Sequence, residues 1–418
     1  MNLGIIALIC LIAVIAIGFW RKINVGILAI AIAVILGYGS GEYNTAKIVS
    51  GYSASLFITL FGLTMLFGII THNGCLEQVL RRLIKFFGRF IWCVPILLFA
   101  SAWLVSALAG GFAGLAFIVG VTIPVIRSTG YHPIMLMIIG NAGAQAGRYT
   151  RLSPDGNIVL NLLAQQGIEG NLTALTLNMT LAMGVIALLA YIYFKGYKTK
   201  ATSEKLHLET QKLTREQWIA LASLAVMVFA IMVQGRDAGL VGVAISVALI
   251  ALGVIDEKTA FNSVPWSTVI MVTGVGVLMK IVINSGGIAI LTQLISSMTN
   301  AFSAPGASCL MAGVMSWFSS TLGVVVPTLT PTVGEITASI GGNLTAIGLL
   351  STMLIGSSSA CFSPASSVGG LILSSIAGDS KLKVNFDNEK AFVVLFVWSV
   401  AMVVINSLIA LTGFYSFS

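Results

Sequence analysis

The stretch Gly143-Ala-Gln-Ala-Gly-Arg-Tyr-Thr-Arg-Leu-Ser-Pro-Asp-Gly-Asn157 interrupts a long apolar run with small and polar residues. A second apolar run is interrupted in the same way by Gly356-Ser-Ser-Ser-Ala-Cys-Phe-Ser-Pro-Ala-Ser-Ser-Val-Gly-Gly370. The pairs Ser153-Pro154 and Ser363-Pro364 are 210 positions apart, about half the chain. In lipid, a broken helix is tolerated only where its freed backbone groups face protein or water. Two such breaks at matching points of two halves predict the central binding site of a transporter.

The composition places the chain in a lipid bilayer. Of its 418 residues, 57% are hydrophobic and only 9% are charged, and the mean hydropathy is +1.00. Because no soluble domain needs so much apolar residue, we predict an all-α polytopic membrane protein. The net charge of +8 is then expected to reflect basic membrane loops, and no nucleic-acid partner is predicted.

The lengths of the apolar runs predict the spans, since a helix needs about 20 residues to cross the hydrocarbon core. Two runs, 94–126 and 304–340, are too long for one helix, and each has a small-residue break near its middle. We predict that both are re-entrant hairpins. The interrupted runs 134–165 and 345–376 are predicted to be discontinuous helices. In all we expect about ten transmembrane helices, near 2–20, 24–38, 54–71, 134–165, 172–195, 216–233, 238–254, 266–283, 345–376 and 390–414.

The basic residues predict the orientation, because Lys and Arg accumulate in cytoplasmic loops. With both termini outside, 17 of the 22 Lys and Arg residues fall in inside loops and two fall outside. Treating either hairpin as a full crossing would reverse every loop between the hairpins. The chain is therefore predicted to contain two repeats, 1–195 and 216–418, joined by a cytoplasmic linker at 196–215.

Matching residues support a duplication of the two halves. Pro95 and Pro305 are 210 positions apart, as are Ser106 and Ser316 and the two Ser-Pro pairs. Five crossings per half insert the second half upside down relative to the first. The repeat is therefore predicted to be inverted.

Three stretches resemble the malonate/dicarboxylate carriers of the MatC type. They are Lys22-Ile-Asn-Val-Gly-Ile-Leu-Ala-Ile, Ser55-Leu-Phe-Ile-Thr-Leu-Phe-Gly-Leu-Thr-Met-Leu-Phe-Gly-Ile, and the Gly-Ala-Gln-Ala-Gly to Ser-Pro-Asp-Gly break. The similarity is clearest over residues 1–170. That group is similar to the wider ion-transporter superfamily, which includes the divalent-anion/sodium symporters. The resemblance implies inverted repeats in a homodimer, and cation-coupled uptake of a small carboxylate by an elevator-type movement.

The hairpin tips depart from the pattern that the resemblance implies. In the sodium/dicarboxylate members, a Ser-Asn-Thr motif at each tip holds sodium and a substrate carboxylate. The matching positions here are Gly110-Gly111-Phe112 and Ser320-Thr321-Leu322, which lack the asparagines. Glycine also lets backbone amides and carbonyls approach a ligand closely, so the backbone contacts are still expected.

Two hairpin tips and two breaks are predicted to converge near the membrane midplane. Helix N-termini there suit a carboxylate, and carbonyl and hydroxyl oxygens suit Na⁺. The residues predicted to bind substrate are Gly110, Gly111, Arg148, Thr150, Arg151, Ser153, Ser320, Thr321, Ser363 and Pro364. The residues predicted to bind the cation are Ser106, Gly110, Gly143, Ala144, Ser316, Ser320, Ser358 and Ser359. For each serine, helix packing is the alternative role, because small residues line membrane helix contacts.

Arg148 and Arg151 are the charged residues of the first break, and the second break has no counterpart to them. A charge inside a span marks a functional site by default, and arginine grips a carboxylate through its bidentate fork. The pair is predicted to form an asymmetric anion clamp. The alternative is a structural salt bridge between one of these arginines and Asp155.

These features predict a secondary active transporter for a small dicarboxylate or related organic anion in a bacterial inner membrane. Coupling to Na⁺ is favoured because the hairpin tips lack acidic residues. Coupling to H⁺ stays an alternative because Asp155 is a carboxylic acid that could carry a proton. The alternatives are a channel, the membrane subunit of a binding-protein-dependent transporter, and a cation/proton antiporter of the same superfamily. An enzyme is not predicted, because the chain has no His-Glu-x-x-His and no Gly-x-Ser-x-Gly motif. No cofactor is expected, and no metal other than Na⁺.

Overall fold

The computed structural model describes residues 3–21, 23–75, 78–79, 82, 93–199, 212–317, 320–364, 366–377 and 388–417. Within these residues the chain is helical or irregular, with no β-strand, as predicted for an all-α protein. The predicted linker at 196–215 begins with a 3₁₀ turn, Gly196–Lys198, and its residues 200–211 lie outside the described part of the chain.

The described helices of the two halves are as follows. In the first half they are α1 (Leu3–Arg21), α2 (Val25–Ser40), α3 (Thr45–Val49), α4 (Ala54–Asn73), α5 (Val94–Thr129), α6 (Pro133–Gly147), α7 (Pro154–Ala164) and α8 (Leu172–Tyr193). In the second half they are α9 (Arg215–Met232), α10 (Ala238–Ala251), α11 (Glu257–Asn262), α12 (Trp266–Asn284), α13 (Gly287–Met298), α14 (Ala304–Trp317), α15 (Val326–Leu329), α16 (Val333–Ile340), α17 (Ala346–Ala360), α18 (Ser367–Ala377) and α19 (Asn388–Leu411). Side-chain caps fix equivalent starts: Asn24 accepts a hydrogen bond from Gly26 N, and Asp237 accepts one from Leu240 N.

The first predicted hairpin is α5, whose chain reverses at Gly110. This residue has a φ of 80° and a ψ of 176°, a conformation that favours glycine. Ser106 and Gly114 would be about 12 Å apart along a straight helix. Instead, the Ser106 hydroxyl lies against Gly114, where an added Cβ would collide with it. The two arms of α5, which we call hairpin 1, are therefore antiparallel and in contact.

The second predicted hairpin, hairpin 2, uses α14 as its first arm. The chain bends by 119° before the second arm, which covers Thr321–Ile340. This arm is irregular: a π-helical turn precedes α15, and a 3₁₀ turn separates α15 from α16. Pro327 and Pro331 contribute to this irregularity, because proline lacks the N–H that a regular helix requires. Residues 318–319 lie outside the described part of the chain.

Both predicted discontinuous helices are confirmed. In the first, α6 ends at Gly147 and α7 begins at Pro154; in the second, α17 ends at Ala360 and α18 begins at Ser367. We call residues 148–153 break 1 and residues 361–366 break 2. Proline suits the start of α7, because the first N–H groups of a helix have no helical partner.

The breaks repeat at an interval of 213 residues, not 210. The helices before them, α6 and α17, begin and end 213 apart, and α7 and α18 begin 213 apart. The Ser153 hydroxyl donates to the carbonyl at the start of break 1 and accepts from Gly156 N. Ser366 makes the same two contacts in break 2, with Gly369 N as its donor. The counterpart of Ser153 is therefore Ser366, and the expected equivalence with Ser363 is wrong.

Each half also packs a helix into the other half. A Cβ at Gly26 on α2 would collide with the backbone oxygen of Ile270 on α12. A Cβ at Gly239 on α10 would collide with Thr59 Cα on α4, and Gly239 is 213 residues after Gly26. Glycine allows such close approach of helix backbones in membranes. The crossings α2–α12 and α4–α10 are thus equivalent, which supports duplication; the inverted insertion of the halves stays a prediction.

The interior consists of two apolar clusters. The larger cluster surrounds the hairpins and breaks, and includes the fully buried residues Met135, Leu136 and Phe362. The smaller cluster joins α1, α2 and α12. Because the breaks lie in the larger cluster, their freed backbone groups need polar partners from the protein or from a ligand.

Helix length gives a partial test of the predicted spans. Among the described residues, five helical segments are long and apolar enough to cross a membrane, or six when the bent pair of hairpin 2 counts as one span. Val94–Gly111, the first arm of hairpin 1, is one of the five, whereas α2 and α10 are apolar but shorter. The ten crossings, the re-entrant path of the hairpins and the outside position of both termini stay predictions.

Candidate functional site

Break 1 contains a buried ion pair. Arg148 Nε lies 2.7 Å from Asp155 Oδ2, and the two residues are only 7% and 3% exposed. Arg148 also donates through Nη1 to Gln145 Oε1 at 2.6 Å. This is the salt bridge that the sequence left as the alternative to an anion clamp, and it uses Arg148.

The tip of hairpin 1 is attached to this ion pair. Gly111 N donates to the same Asp155 Oδ2 at 3.0 Å. A Cβ on Gly111 would lie 2.8 Å from Arg148 Cζ, so the guanidinium occupies the space that a larger residue would need. The Thr150 hydroxyl donates to the Ala107 carbonyl from the other side of the break. Two predicted substrate residues, Gly111 and Arg148, therefore converge on one carboxylate oxygen.

The two arginines of the predicted clamp have different surroundings. Arg148 is buried, whereas Arg151 is exposed, and the Arg151 carbonyl accepts a hydrogen bond from Asn157 Nδ2 at 2.8 Å. Ser153 caps α7 through Gly156 N at 3.0 Å, so its hydroxyl is committed to the helix start. Ser153 thus shapes the break from which Arg148 extends.

The tip of hairpin 2 carries a cluster of buried hydroxyl groups. The Ser316 hydroxyl lies 3.2 Å from Thr321 Oγ1, and the Ser357 hydroxyl donates to the same atom at 2.7 Å. Ser320 is exposed and its hydroxyl accepts from Gly323 N at 3.3 Å. Ser357 was not among the predicted residues, although it directly precedes Ser358 in the serine run.

The remaining residues predicted in the second half divide into two groups. Ser359 donates to Ile355 O at 2.7 Å and accepts from Asn406 Nδ2 at 2.9 Å, so it faces α19. Ser358 is fully buried, and its hydroxyl interacts with the Tyr149 side chain of break 1. Ser363 and Pro364 are buried within break 2.

The predicted cation residues of the first half lie along the contact between hairpin 1 and α6. Ser106 and Ala144 both adjoin Gly114, and the Ser106 hydroxyl has no hydrogen-bond partner among the described residues. Gly143 packs against the backbone of Phe99, which lets α6 approach the first arm of the hairpin. Gly110 instead packs on the first residues of α7.

Break 2 contacts α6 of the first half inside the molecule. Asn141 Nδ2 on α6 lies 3.4 Å from Cys361 Sγ at the start of break 2. Asn141 Oδ1 is buried without a hydrogen-bond partner among the described residues, and the buried Tyr149 hydroxyl interacts with the Ser358 side chain on α17. Buried polar atoms normally have partners, so a group such as Asn141 Oδ1 is typical of a site that takes up a ligand, an ion or water. Neither residue was predicted, although an asparagine within an apolar run is a sequence signal of this kind.

A cavity of about 370 Å³ opens beside the ion pair. Asp155 and the tip of hairpin 1 form one side, and α4 forms the other with His72. Thr268 near the start of α12 and Leu322 from hairpin 2 complete the wall. The site therefore offers donors for an anion at break 1, neutral oxygen atoms at hairpin 2, and space between helices from both halves.

Two solved structures resemble the chain in fold. The YdaH transporter of Alcanivorax borkumensis, described as having an unusual topology, is 11% identical with a TM-score of 0.57, and the match covers 88% of this chain and 87% of that one. MtrF of Neisseria gonorrhoeae, described within a class of antimetabolite efflux pumps, is 15% identical with a TM-score of 0.59, covering 88% and 83%. At these identities the likeness shows a shared fold alone.

The family assignment comes from the sequence as a whole. No curated protein matches the chain. Residues 11–356 match the sequence model of the family described as CitMHS, citrate transporter. That match includes hairpin 1, break 1 and hairpin 2. The narrower resemblance to MatC-type malonate carriers stays a prediction. The chain belongs to the citrate transporter family.

Proposed function

We propose that the chain is a secondary active transporter that moves a small di- or tricarboxylate across a bacterial inner membrane, driven by a coupled cation. The observation that carries the proposal is a pair of buried anion donors: Arg148 Nε and Gly111 N both donate to one carboxylate oxygen, Asp155 Oδ2. Charge-assisted hydrogen bonds of this kind are strong where water is excluded. Membership in the citrate transporter family supports an organic anion as the substrate.

Na⁺ is our proposed coupling ion, in preference to H⁺. The hydroxyl groups of Ser316, Thr321 and Ser357 lie together at hairpin 2, and Ser106 supplies a buried hydroxyl that lacks a partner among the described residues. Hard monovalent cations prefer neutral and anionic oxygen ligands, so these groups suit Na⁺ better than they suit a proton carrier. The substrate and the cation would then occupy adjoining parts of one site.

The proposed movement is of the elevator type, in a homodimer. Hairpin 1 is attached to α7 through Asp155 and to break 1 through Thr150, so these elements are expected to move together. The glycine crossings α2–α12 and α4–α10 join the halves independently of the breaks and suit a fixed frame. The inverted repeats 1–195 and 216–418 would supply the symmetry that alternating access requires.

Uptake into proteoliposomes tests the proposal. The purified chain is expected to accumulate labelled citrate, malonate or succinate under an inward Na⁺ gradient, and a pH gradient alone is expected to drive little uptake. Arg148→Gln is expected to reduce uptake at least about tenfold, since a charge-assisted hydrogen bond contributes about 1.5–3 kcal/mol. Arg151→Gln tests the exposed partner of the clamp and is expected to raise KM. Arg236→Gln, the same change in an exposed loop, is the matched control.

Three results would contradict parts of the proposal. Absence of uptake of all three carboxylates under either gradient would remove the transport function. Full transport activity of Arg148→Gln would mean that the anion does not bind at break 1. Uptake that depends on the pH gradient and not on the Na⁺ gradient would mean that the coupling ion is H⁺.

A further inference from the structure

Asp155 is held as a substrate carboxylate would be held. Its Oδ2 atom accepts from Arg148 Nε at 2.7 Å and from Gly111 N at 3.0 Å. It also lies in the first turn of α7, where the helix dipole favours a negative charge. Arg148 Nε and Gly111 N are therefore already occupied by a carboxylate of the protein itself.

We propose that Asp155 is a built-in competitor of the substrate, and that a substrate carboxylate replaces it on Arg148 and on the Gly111 N–H. This inference rests on the proposed transport function. It assigns Asp155 the role of a positioning residue, which holds the empty site in shape and withdraws when the substrate binds.

Repulsion between two carboxylates at one guanidinium favours the replacement. Arg148 and Asp155 form a neutral pair, and both are buried. A second carboxylate beside them would leave a net negative charge in a region of low dielectric, and two carboxylates sharing one site repel each other. A substrate therefore gains the full attraction of the guanidinium only when Asp155 moves away.

The structure provides space for that movement. Asp155 lines the cavity of about 370 Å³, so its side chain has a volume to rotate into without moving a helix. The cavity is shared with α4, which contributes His72, and with α12, which contributes Thr268. A displaced carboxylate would thus face the α4 wall and His72.

The replacement also links binding to hairpin 1. Gly111 N is the atom through which Asp155 holds the hairpin tip on α7. When a substrate carboxylate takes the place of Asp155, the tip becomes attached to the substrate and no longer to the start of α7. Substrate binding would thereby release one contact between hairpin 1 and α7.

Binding to the Asp155→Asn protein tests this role. The amide of this variant keeps the shape of the side chain without its charge, so the substrate no longer competes with an anion. The dissociation constant for citrate or malonate, measured by titration calorimetry on the purified full chain, is expected to fall at least about tenfold, which is about 1.4 kcal/mol. The control is Asp237→Asn, the same change at the exposed cap of α10, which is expected to leave the constant unchanged within about twofold.

A purely structural role of Asp155 predicts no fall in the dissociation constant of Asp155→Asn. If Asp155 served only to hold the fold, Asp155→Asn would bind the carboxylate equally or more weakly, and the proposal would be overturned. If the wild-type chain bound no carboxylate at all, the proposed function would fail together with it. If the wild type bound the carboxylate and Asp155→Asn bound it no more tightly, the competitor role of Asp155 would be wrong and the proposed transport function would still stand.

A second measurement uses the wild-type chain, in case Asp155→Asn does not fold. The chain has only five aspartates, so ¹³C-labelled aspartate can be followed by infrared difference spectroscopy. Addition of the substrate is expected to shift one aspartate carboxylate band, because the Asp155 carboxylate leaves the Arg148 guanidinium and turns into the cavity. A binding isotherm without any change in the aspartate bands would overturn the proposal.

Discussion

Replacing Arg148 by Gln leaves the Asp155 carboxylate 3% exposed, with Gly111 N as its remaining donor on hairpin 1. Removing one partner of a buried pair costs about 3–5 kcal/mol, because an uncompensated charge stays buried. Asp155→Asn likewise leaves the Arg148 guanidinium buried without an opposite charge, with its hydrogen bond to Gln145 remaining. The double variant has no buried charge, and its cost falls to about 1–3 kcal/mol for imperfectly bonded polar groups. The two replacements are therefore expected to couple by at least about 3 kcal/mol.

The assay is unfolding in mixed micelles titrated with SDS, for the wild type, both single variants and the double variant. Arg236→Gln and Asp237→Asn provide a matched control cycle, because both side chains are exposed and asparagine caps a helix as well as aspartate does. The control cycle is expected to show coupling below about 1 kcal/mol. Additive effects at Arg148 and Asp155 would refute the reasoning that the pair acts as one buried unit.

Three further replacements test individual contacts. Gly111→Ala is expected to reduce uptake at least tenfold, because its Cβ would lie 2.8 Å from Arg148 Cζ and displace the guanidinium; uptake under a Na⁺ gradient checks this. Gly26→Ala is expected to destabilise the protein by about 1–3 kcal/mol or more, because the Cβ would meet the backbone of α12, whereas Gly39→Ala in open space on the same helix is expected to be neutral or stabilising. Ser366→Ala is expected to cost about 1 kcal/mol through loss of the cap of α18, as measured by the same SDS titration.

Each of these predictions has a result that would count against it. Wild-type uptake by Gly111→Ala would mean that the guanidinium can move without consequence. Equal stability of the two α2 variants would argue against the tight crossing of α2 and α12. An unchanged midpoint for Ser366→Ala would argue against the interval of 213 between the breaks.

The sequence was sufficient to predict where the helices are interrupted. The small and polar residues around Arg148 and Ser358 cannot belong to a lipid-facing helix, so both breaks could be located. The reversal at Gly110 could also be predicted, because the apolar run is too long for one span and contains a Gly-Gly pair. These features follow from the bilayer as a solvent and need no knowledge of tertiary contacts.

The register of the repeat could not be predicted in this way. Two Ser-Pro pairs look equivalent in the sequence, but the cap of a helix is the serine whose hydroxyl meets the first free N–H. In break 2 that serine is Ser366, three residues after Ser363. The interval therefore depends on three-dimensional hydrogen bonds that a sequence pattern does not record.

The partners within the site were also beyond the sequence. Both arginines of break 1 lie near Asp155 in the chain, and only the path of the break decides that Arg148 turns inward while Arg151 stays exposed. The attachment of Gly111 to the same carboxylate joins residues 44 positions apart. The contact of Asn141 with break 2 joins residues from different halves.

The most direct test of the anion site is a structure of the full chain in lipid nanodiscs, determined with saturating citrate. We predict a citrate carboxylate within hydrogen-bond distance of Arg148 Nε and Gly111 N, between the two breaks, with the Asp155 side chain turned into the cavity. Citrate bound elsewhere, beside an intact pair of Arg148 and Asp155, would contradict it.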